Sequence, residues 1–191
     1  MPAPAMKRFS HTIRRLAICA TLVLLAATPG LVQAEVTKEY QVKAAFLYNF
    51  TKFVEWPPAR FADAQRPIVI GIVGRNPFGD ELAKITGGRK INGRDIVIRL
   101  VASEAEVLSA DLIFVSVGEE EHLPDLTGTL QQAGILTVGE SPRFAAAGGM
   151  ITFVLERDKI RFQINQAASE QAGLKINAQL LKLAITVQRK S

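Results

Sequence analysis

The 191-residue sequence contains one cysteine, Cys19, along with only two histidines and one tryptophan. Cys19 falls in an N-terminal stretch that reads as a leader. Beyond it no disulfide, thiol nucleophile or cysteine-held zinc can form. Long apolar runs are also missing. Leu16 to Ala27 is apolar over 12 residues, about 18 Å of helix against a hydrocarbon core of about 30 Å, too short to span a membrane. Phosphate-cradling glycine loops are absent as well: Gly71-Ile72-Val73-Gly74 does not complete Gly-x-Gly-x-x-Gly, and Thr86-Gly87-Gly88-Arg89-Lys90-Ile91 has no Lys-Ser or Lys-Thr pair. Finally, no Asp or Glu precedes residue 35, whereas Lys7, Arg8, Arg14 and Arg15 do. The formal charge of +5 therefore belongs to that segment, and 19 basic against 18 acidic residues follow it. A nearly neutral chain lacks the electrostatic footprint of phosphate-backbone binding, which excludes nucleic acid as a partner.

Those four cations, the apolar stretch and Val32-Gln33-Ala34, with small residues where a signal peptidase inspects, predict a cleavable secretory signal over residues 1–34. A lipid anchor on Cys19 fits poorly, because Ile18 is large for the preceding position. The expected product is an exported, periplasmic domain over residues 35–191. Its 157 residues suffice to bury about 68–70% of the unfolded surface without disulfides.

Along that domain Val42, Ala45, Phe46, Phe50 and Phe53 recur at helical spacing, predicting an amphipathic helix from Glu35 to about Trp56, stopped by Pro57-Pro58. Ile68 to Val73, Ile96 to Val101, Leu112 to Val117 and Ile135 to Val138 read as strands. They alternate with helical stretches near residues 80–85, 103–110 and up to Ala133. Asn92-Gly93 signals a turn. Met150 to Leu155 and Lys159 to Ile164 flank the turn candidate Arg157-Asp158, and alternation in the second arm gives it one wet face. Asn177 is the expected N-cap of a last helix with Leu180, Leu183, Ala184 and Val187 on one stripe. The fold class is α/β: a single Rossmann-like sandwich, mainly parallel, with a C-terminal antiparallel hairpin and terminal helix.

Chemistry-bearing residues are few. Glu119, Glu120, Glu121, His122 and Asp125 gather carboxylates around a histidine, but on a helix they fan around the axis, and acidic residues at a helix start are stabilising without further role. Ser116 closes a strand yet lacks the Gly-x-Ser-x-Gly elbow. No catalytic residue, metal ligand or cofactor is assigned. The loop Gly74-Arg75-Asn76-Pro77-Phe78-Gly79 leaves the carboxyl end of the first strand, where open sheets bind ligands. Arg75, Asn76 and Phe78 are therefore the ligand-pocket candidates, unless the loop is simply a turn with Phe78 in the core. Tyr48 and Trp56 form either a partner-facing aromatic patch or core, and Asn49 reads as a hydrogen-bonded core amide.

The stretch Tyr40-Gln41-Val42-Lys43-Ala44-Ala45-Phe46-Leu47-Tyr48-Asn49-Phe50-Thr51-Lys52-Phe53-Val54-Glu55-Trp56-Pro57 resembles the opening helix of YfiR-like periplasmic proteins. The Asn-Pro-Phe-Gly loop, Gly148-Gly149-Met150-Ile151-Thr152-Phe153, and Ala172-Gly173-Leu174-Lys175-Ile176 leading to Leu180-Leu181-Lys182-Leu183-Ala184 are similar to the rest of that pattern. The resemblance implies a non-enzymatic regulator. Its implied partner is the periplasmic domain of an inner-membrane diguanylate cyclase, held off to lower cyclic di-GMP and biofilm formation. An outer-membrane lipoprotein that sequesters it is a further partner the resemblance implies, and a homodimer is a separate expectation. The chain departs from the family's repressor, which has disulfide-forming cysteine pairs. The alternative reading is a periplasmic small-molecule sensor subunit for another membrane signalling protein, such as a histidine kinase.

Overall fold

The computed structural model describes residues 29–63 and 65–188, so most of the expected leader, residues 1–28, lies outside the described residues. By contacts the chain divides into two units, Met1–Lys38 and Glu39–Ser191. The second carries the sheet.

Helix α1 (Pro29–Phe53) leads into a short strand, β1 (Val54–Glu55), and a 3-10 turn at Pro58–Phe61. Then follow β2 (Ile68–Val73), α2 (Glu81–Thr86), β3 (Lys90–Ile91), β4 (Arg94–Val101), α3 (Glu104–Ser109), β5 (Leu112–Val115) and α4 (Leu123–Gln132). The chain continues through β6 (Leu136–Gly139), α5 (Pro142–Ala146), β7 (Ile151–Glu156), β8 (Lys159–Asn165), α6 (Gln166–Gln171), β9 (Lys175–Ile176), α7 (Ala178–Leu183) and β10 (Thr186–Gln188). The main sheet has the order β10-β8-β7-β6-β5-β2-β4-β3, parallel except for the β7–β8 and β3–β4 pairs. β1 and β9 form a separate antiparallel pair. The Rossmann-like, mainly parallel expectation therefore describes the molecule.

The continuous apolar runs are explained by burial on both faces. Ile70 and Ile72 of β2, Leu112 and Phe114 of β5, and Leu136 and Val138 of β6 join α1 in one core. Val69, Ile113 and Val115 point the other way, against Val107, Leu123, Leu130 and Phe144 from α3, α4 and α5. Strand period two divides each run between the cores. Under α1, the rings of Phe46, Phe50, Phe153 and Phe162 pack at centroid distances of 5.1 to 6.1 Å. Both hairpins turn as their sequences allow. Asn92 and Gly93 have φ of 52° and 80°, and Arg157 and Asp158 have 50° and 60°, the left-handed pair required by a two-residue hairpin loop that matches strand twist.

Gly148 and Gly149 have distinct duties. Gly148 sits at φ 88°. Gly149 lies against the Phe144 ring, and so does Gly139 across from it: a Cβ would fall 2.1 Å from a ring carbon at Gly149 and 2.4 Å at Gly139. Phe144, wholly buried, occupies a slot that only glycine walls leave open.

Three expectations need correcting. The buried stripe of α1 is Lys43, Ala44, Leu47 and Phe50, whereas Val42 is 44% exposed, because the ammonium of Lys43 finds the Glu140 carboxylate beneath the helix and Glu39 one turn before it. The last helix ends at Leu183, which is exposed. Val187 lies in β10, paired in parallel with β8, so the terminal stripe divides between a helix and a strand. The opening helix stops at Phe53 and not near Trp56, since Val54 and Glu55 pair with Ile176 and Lys175. α5 is an element that the apolar pattern did not announce. Ser141 caps it by accepting the Phe144 N–H at 3.0 Å, with Pro142 in its first turn.

Candidate functional site

β2 sends the chain to β4 on one side, and β5 lies on the other, so the order reverses between β2 and β5. Open parallel sheets gather ligands at the carboxyl ends of strands beside such a reversal. There the loops after β2, β5 and β6 come together beneath the middle of α1.

At the centre of this edge is a buried charged cluster. The Lys43 ammonium pairs with Glu140 and with Glu39, one helical turn before it; the Lys43 and Glu140 side chains are each only 6% exposed. The Tyr40 hydroxyl donates to the second Glu140 oxygen at 2.9 Å, and Lys43 lies 4.6 Å from the Tyr40 ring centroid. Burial, then the charge of Glu140 and its hydrogen bond, push the Tyr40 hydroxyl well above its ordinary pKa, so it stays a proton donor. Glu120 is buried nearby and accepts the Gly118 N–H at 2.8 Å. Desolvation opposes its ionisation, but hydrogen bonds from Ser141, its own amide and Gly118, with the Arg143 charge, hold its carboxyl below the usual range.

A cavity of about 510 Å³ opens beside the cluster, lined among others by Glu39, Lys43, Glu140, Pro142, Phe153 and Leu155. Its volume is that of a ligand pocket.

The loop after β2 borders the same edge, though its residues are partly occupied. Asn76 accepts the Phe78 N–H at 2.9 Å and donates to the Gly79 carbonyl at 3.2 Å, forming a local turn. Phe78 is buried between Tyr40 and Phe114, at centroid distances of 5.5 and 4.8 Å. Arg75 is exposed and its charge reaches Tyr40. Ser116 donates to the Arg75 carbonyl at 2.7 Å, so its hydroxyl hydrogen serves the loop. Glu119 lies over Gly74, where a Cβ would fall 2.4 Å from its Cγ, and Glu121 is exposed. His122 ends a 3-10 turn and Asp125 is in α4; their side chains lie outside the described residues.

Tyr48 and Trp56 stand apart. Tyr48 is half-buried on α1, with the Arg89 guanidinium 5.1 Å from its ring. Trp56 donates to the Asp111 carbonyl at 3.1 Å and meets Phe61 edge-on, at the amino edge of the sheet.

The residues that sequence reasoning missed are Tyr40, Lys43 and Glu140. Glu39 and Lys43 at i, i+4 were a visible pair, but nothing local placed Glu140, about a hundred residues away, underneath them.

The YfiR/HmsC-like family model matches residues 40–185. The chain belongs to the YfiR/HmsC-like family. The family's motifs thus acquire structural roles: Asn76-Pro77-Phe78-Gly79 forms a turn with its ring in the core, Gly148 takes a left-handed conformation, and Gly149 makes room for Phe144. No curated protein matches this YfiR/HmsC-like chain. Among solved structures, it is similar to the ABC domain in complex with L-Trp from Streptococcus pneumonia at 14% identity and a TM-score of 0.44, covering 63% of this chain and 55% of that one. A conserved domain protein from Vibrio cholerae O1 biovar El Tor gives 14%, 0.45, 63% and 54% respectively. The chain spans about half the length of these structures.

Proposed function

We propose that this protein is a non-enzymatic periplasmic regulator, secreted through a signal over residues 1–34. Its domain, 35–191, binds the periplasmic part of an inner-membrane diguanylate cyclase and holds it inactive. The observation that carries this reading is the family match across residues 40–185. Control by contact needs only preferential binding to one cyclase conformation, and about 3 kcal/mol of preference changes the ratio of states more than 100-fold. The occupied Ser116 hydroxyl, donated to Arg75, favours a binding role over nucleophilic catalysis. The side of α1 around Tyr48, with Arg89 over its ring, is the partner surface this reading assigns, with Trp56 at its end.

The test is deletion of the gene with cyclic di-GMP measured under several growth conditions, together with crosslinking of the tagged protein in living cells. The expected result is a rise in cyclic di-GMP and recovery of a membrane cyclase, lost in a Tyr48→Ala, Arg89→Ala variant. Unchanged cyclic di-GMP would remove the cyclase reading. The cavity at the carboxyl edge favours a second reading, a small-molecule sensor for a membrane kinase. Calorimetry against periplasmic metabolites checks it, with Leu155→Ala in the cavity lining and Arg75→Ala in the bordering loop as site variants, and unaltered binding in both would remove it.

A further inference from the structure

The cavity at the carboxyl edge exposes an interrupted sheet. β6 pairs with β7 only at Ile151 and Thr152, whereas β7 continues to Glu156. Strand period and hairpin register decide what the overhang presents. Glu156 and Lys159 flank the two-residue turn, and Asn165 donates to the Met150 carbonyl at 2.7 Å. The hydrogen-bonded pairs of the hairpin are therefore Glu156–Lys159, Val154–Arg161 and Thr152–Gln163. Phe153 and Leu155 turn their backbone groups the other way: the parallel register gives the Phe153 N–H to Gly139, the last residue of β6, and the Phe153 C=O and both Leu155 groups face the line β6 would follow beyond it. Among the described residues no strand meets the Leu155 N–H and C=O, and the Leu155 side chain is 68% exposed.

This edge is not a free flank. Glu39 and Lys43 of α1 border the cavity on one face, and Pro142 and Ala145 of α5 on the other, with Phe153, Val154 and Leu155 in the same lining. A groove closed on both faces admits one extended chain and excludes a second sheet. We propose that the groove is a strand-addition site: an extended segment of a partner protein continues the line of β6 and pairs with Phe153–Leu155. Main-chain bonds supply affinity in this mode, and alternate side chains supply selectivity. The segment is apolar, matching Phe153, Leu155 and Ile160, and carries one basic residue, since the two carboxylates of the lining outnumber its one ammonium. The proposal concerns peptide chemistry and does not depend on the partner being a cyclase.

The experiment uses the purified protein and short random peptides displayed on phage. Amide exchange followed by NMR should find Leu155 exchanging fast in the free protein while Val154 and Glu156 exchange slowly. Selected peptides should be apolar with a basic residue and should slow Leu155. N-methylation of alternate peptide amides should weaken binding by about tenfold or more, the intervening positions being indifferent. Leu155→Pro removes the docking donor at no cost in hairpin bonds, and Ala145→Trp fills the groove. Both variants should keep the wild-type amide spectrum elsewhere and lose the peptides. The proposal is overturned if Leu155 is protected in the free protein, if both variants bind the peptides as wild type does, or if N-methylation is without effect. A dimer that Leu155→Pro dissociates would overturn it too, giving the edge to a second copy.

Discussion

The two edges of the sheet both bury charge, and they use it differently. At the amino edge Asp111 is wholly buried. One of its oxygens accepts from Arg60 at 2.9 Å and Arg66 at 2.8 Å, and the other takes the Val69 N–H at 2.9 Å. Arg60 goes on to the carbonyls of Ala110, Ala133 and Leu108, and Arg66 to that of Ser109. The guanidinium forks bind the loop after α1 to the strand starts, and Trp56 adds its own bond to Asp111. At the carboxyl edge Lys43, Glu140 and Tyr40 also satisfy one another, but Lys43 and Glu140 line a cavity. One charged network fastens chain segments together; the other shapes an opening. Buried ions are costly unless fully partnered, and full partnering is compatible with either use.

The largest expected effect tests the fastening role. Asp111→Ala leaves two guanidinium groups and the Val69 N–H without their acceptor and should cost about 4 kcal/mol in urea unfolding. Arg66→Ala, at the more exposed end, should cost visibly less. If Asp111→Ala were no worse than Arg66→Ala, the amino edge would not be the clamp described. Next in size is Gly149→Ala. Its methyl would enter the Phe144 ring, and overpacking of this kind should cost about 2 to 3 kcal/mol. Phe144→Leu in the same chain should recover part of that loss.

The carboxyl edge should yield more gently. Glu140→Gln leaves Lys43 with Glu39 as its remaining carboxylate, so a loss of about 2 kcal/mol is expected. A double-mutant cycle of Glu140→Gln with Lys43→Met should return a coupling of about 1 to 2 kcal/mol. Coupling near zero would mean that Glu39 alone holds the ammonium.

How much of this was visible beforehand follows from range. β2, β5 and β6 and both hairpin turns were legible because period, β-branching and turn chemistry act over a few residues. The family resemblance extended that order along the chain. β10 was not legible: Val187 fits a helical stripe, and only its pairing with Gln163–Asn165 makes it a strand. The burial of Lys43 is illegible for the same reason, since its carboxylate partner Glu140 comes from the end of a distant strand. In the β2 loop the Asx turn at Asn76 and the buried ring of Phe78 accord with the turn-and-core alternative, while Arg75 stays available at the surface.

The smallest effect also belongs to the carboxyl edge, where β4 passes into α3. Ser103 accepts the Glu106 N–H at 3.3 Å, and Glu106 accepts the N–H groups of Ala102 and Ser103 at 2.9 and 3.0 Å, a reciprocal capping box. Ser103→Ala should cost about 1 kcal/mol. The backbone bonds from Ala102 and Ser103, then that with the Ser103 side chain, lower the Glu106 pKa from its ordinary 4.5. A carboxyl that is more acidic when folded contributes stability that is full above its unfolded value and lost as pH falls through its folded one. Acidification below about pH 4.5 should therefore loosen α3, and Glu106→Gln should flatten that part of the pH profile while lowering stability at neutral pH. Because α3 runs from this edge directly to Asp111, exchange of the Val107 amide, which donates to Ser103, is the sensitive readout. Its acceleration in acid while the Val69 amide stays protected would show that the open edge yields first and the clamped edge holds.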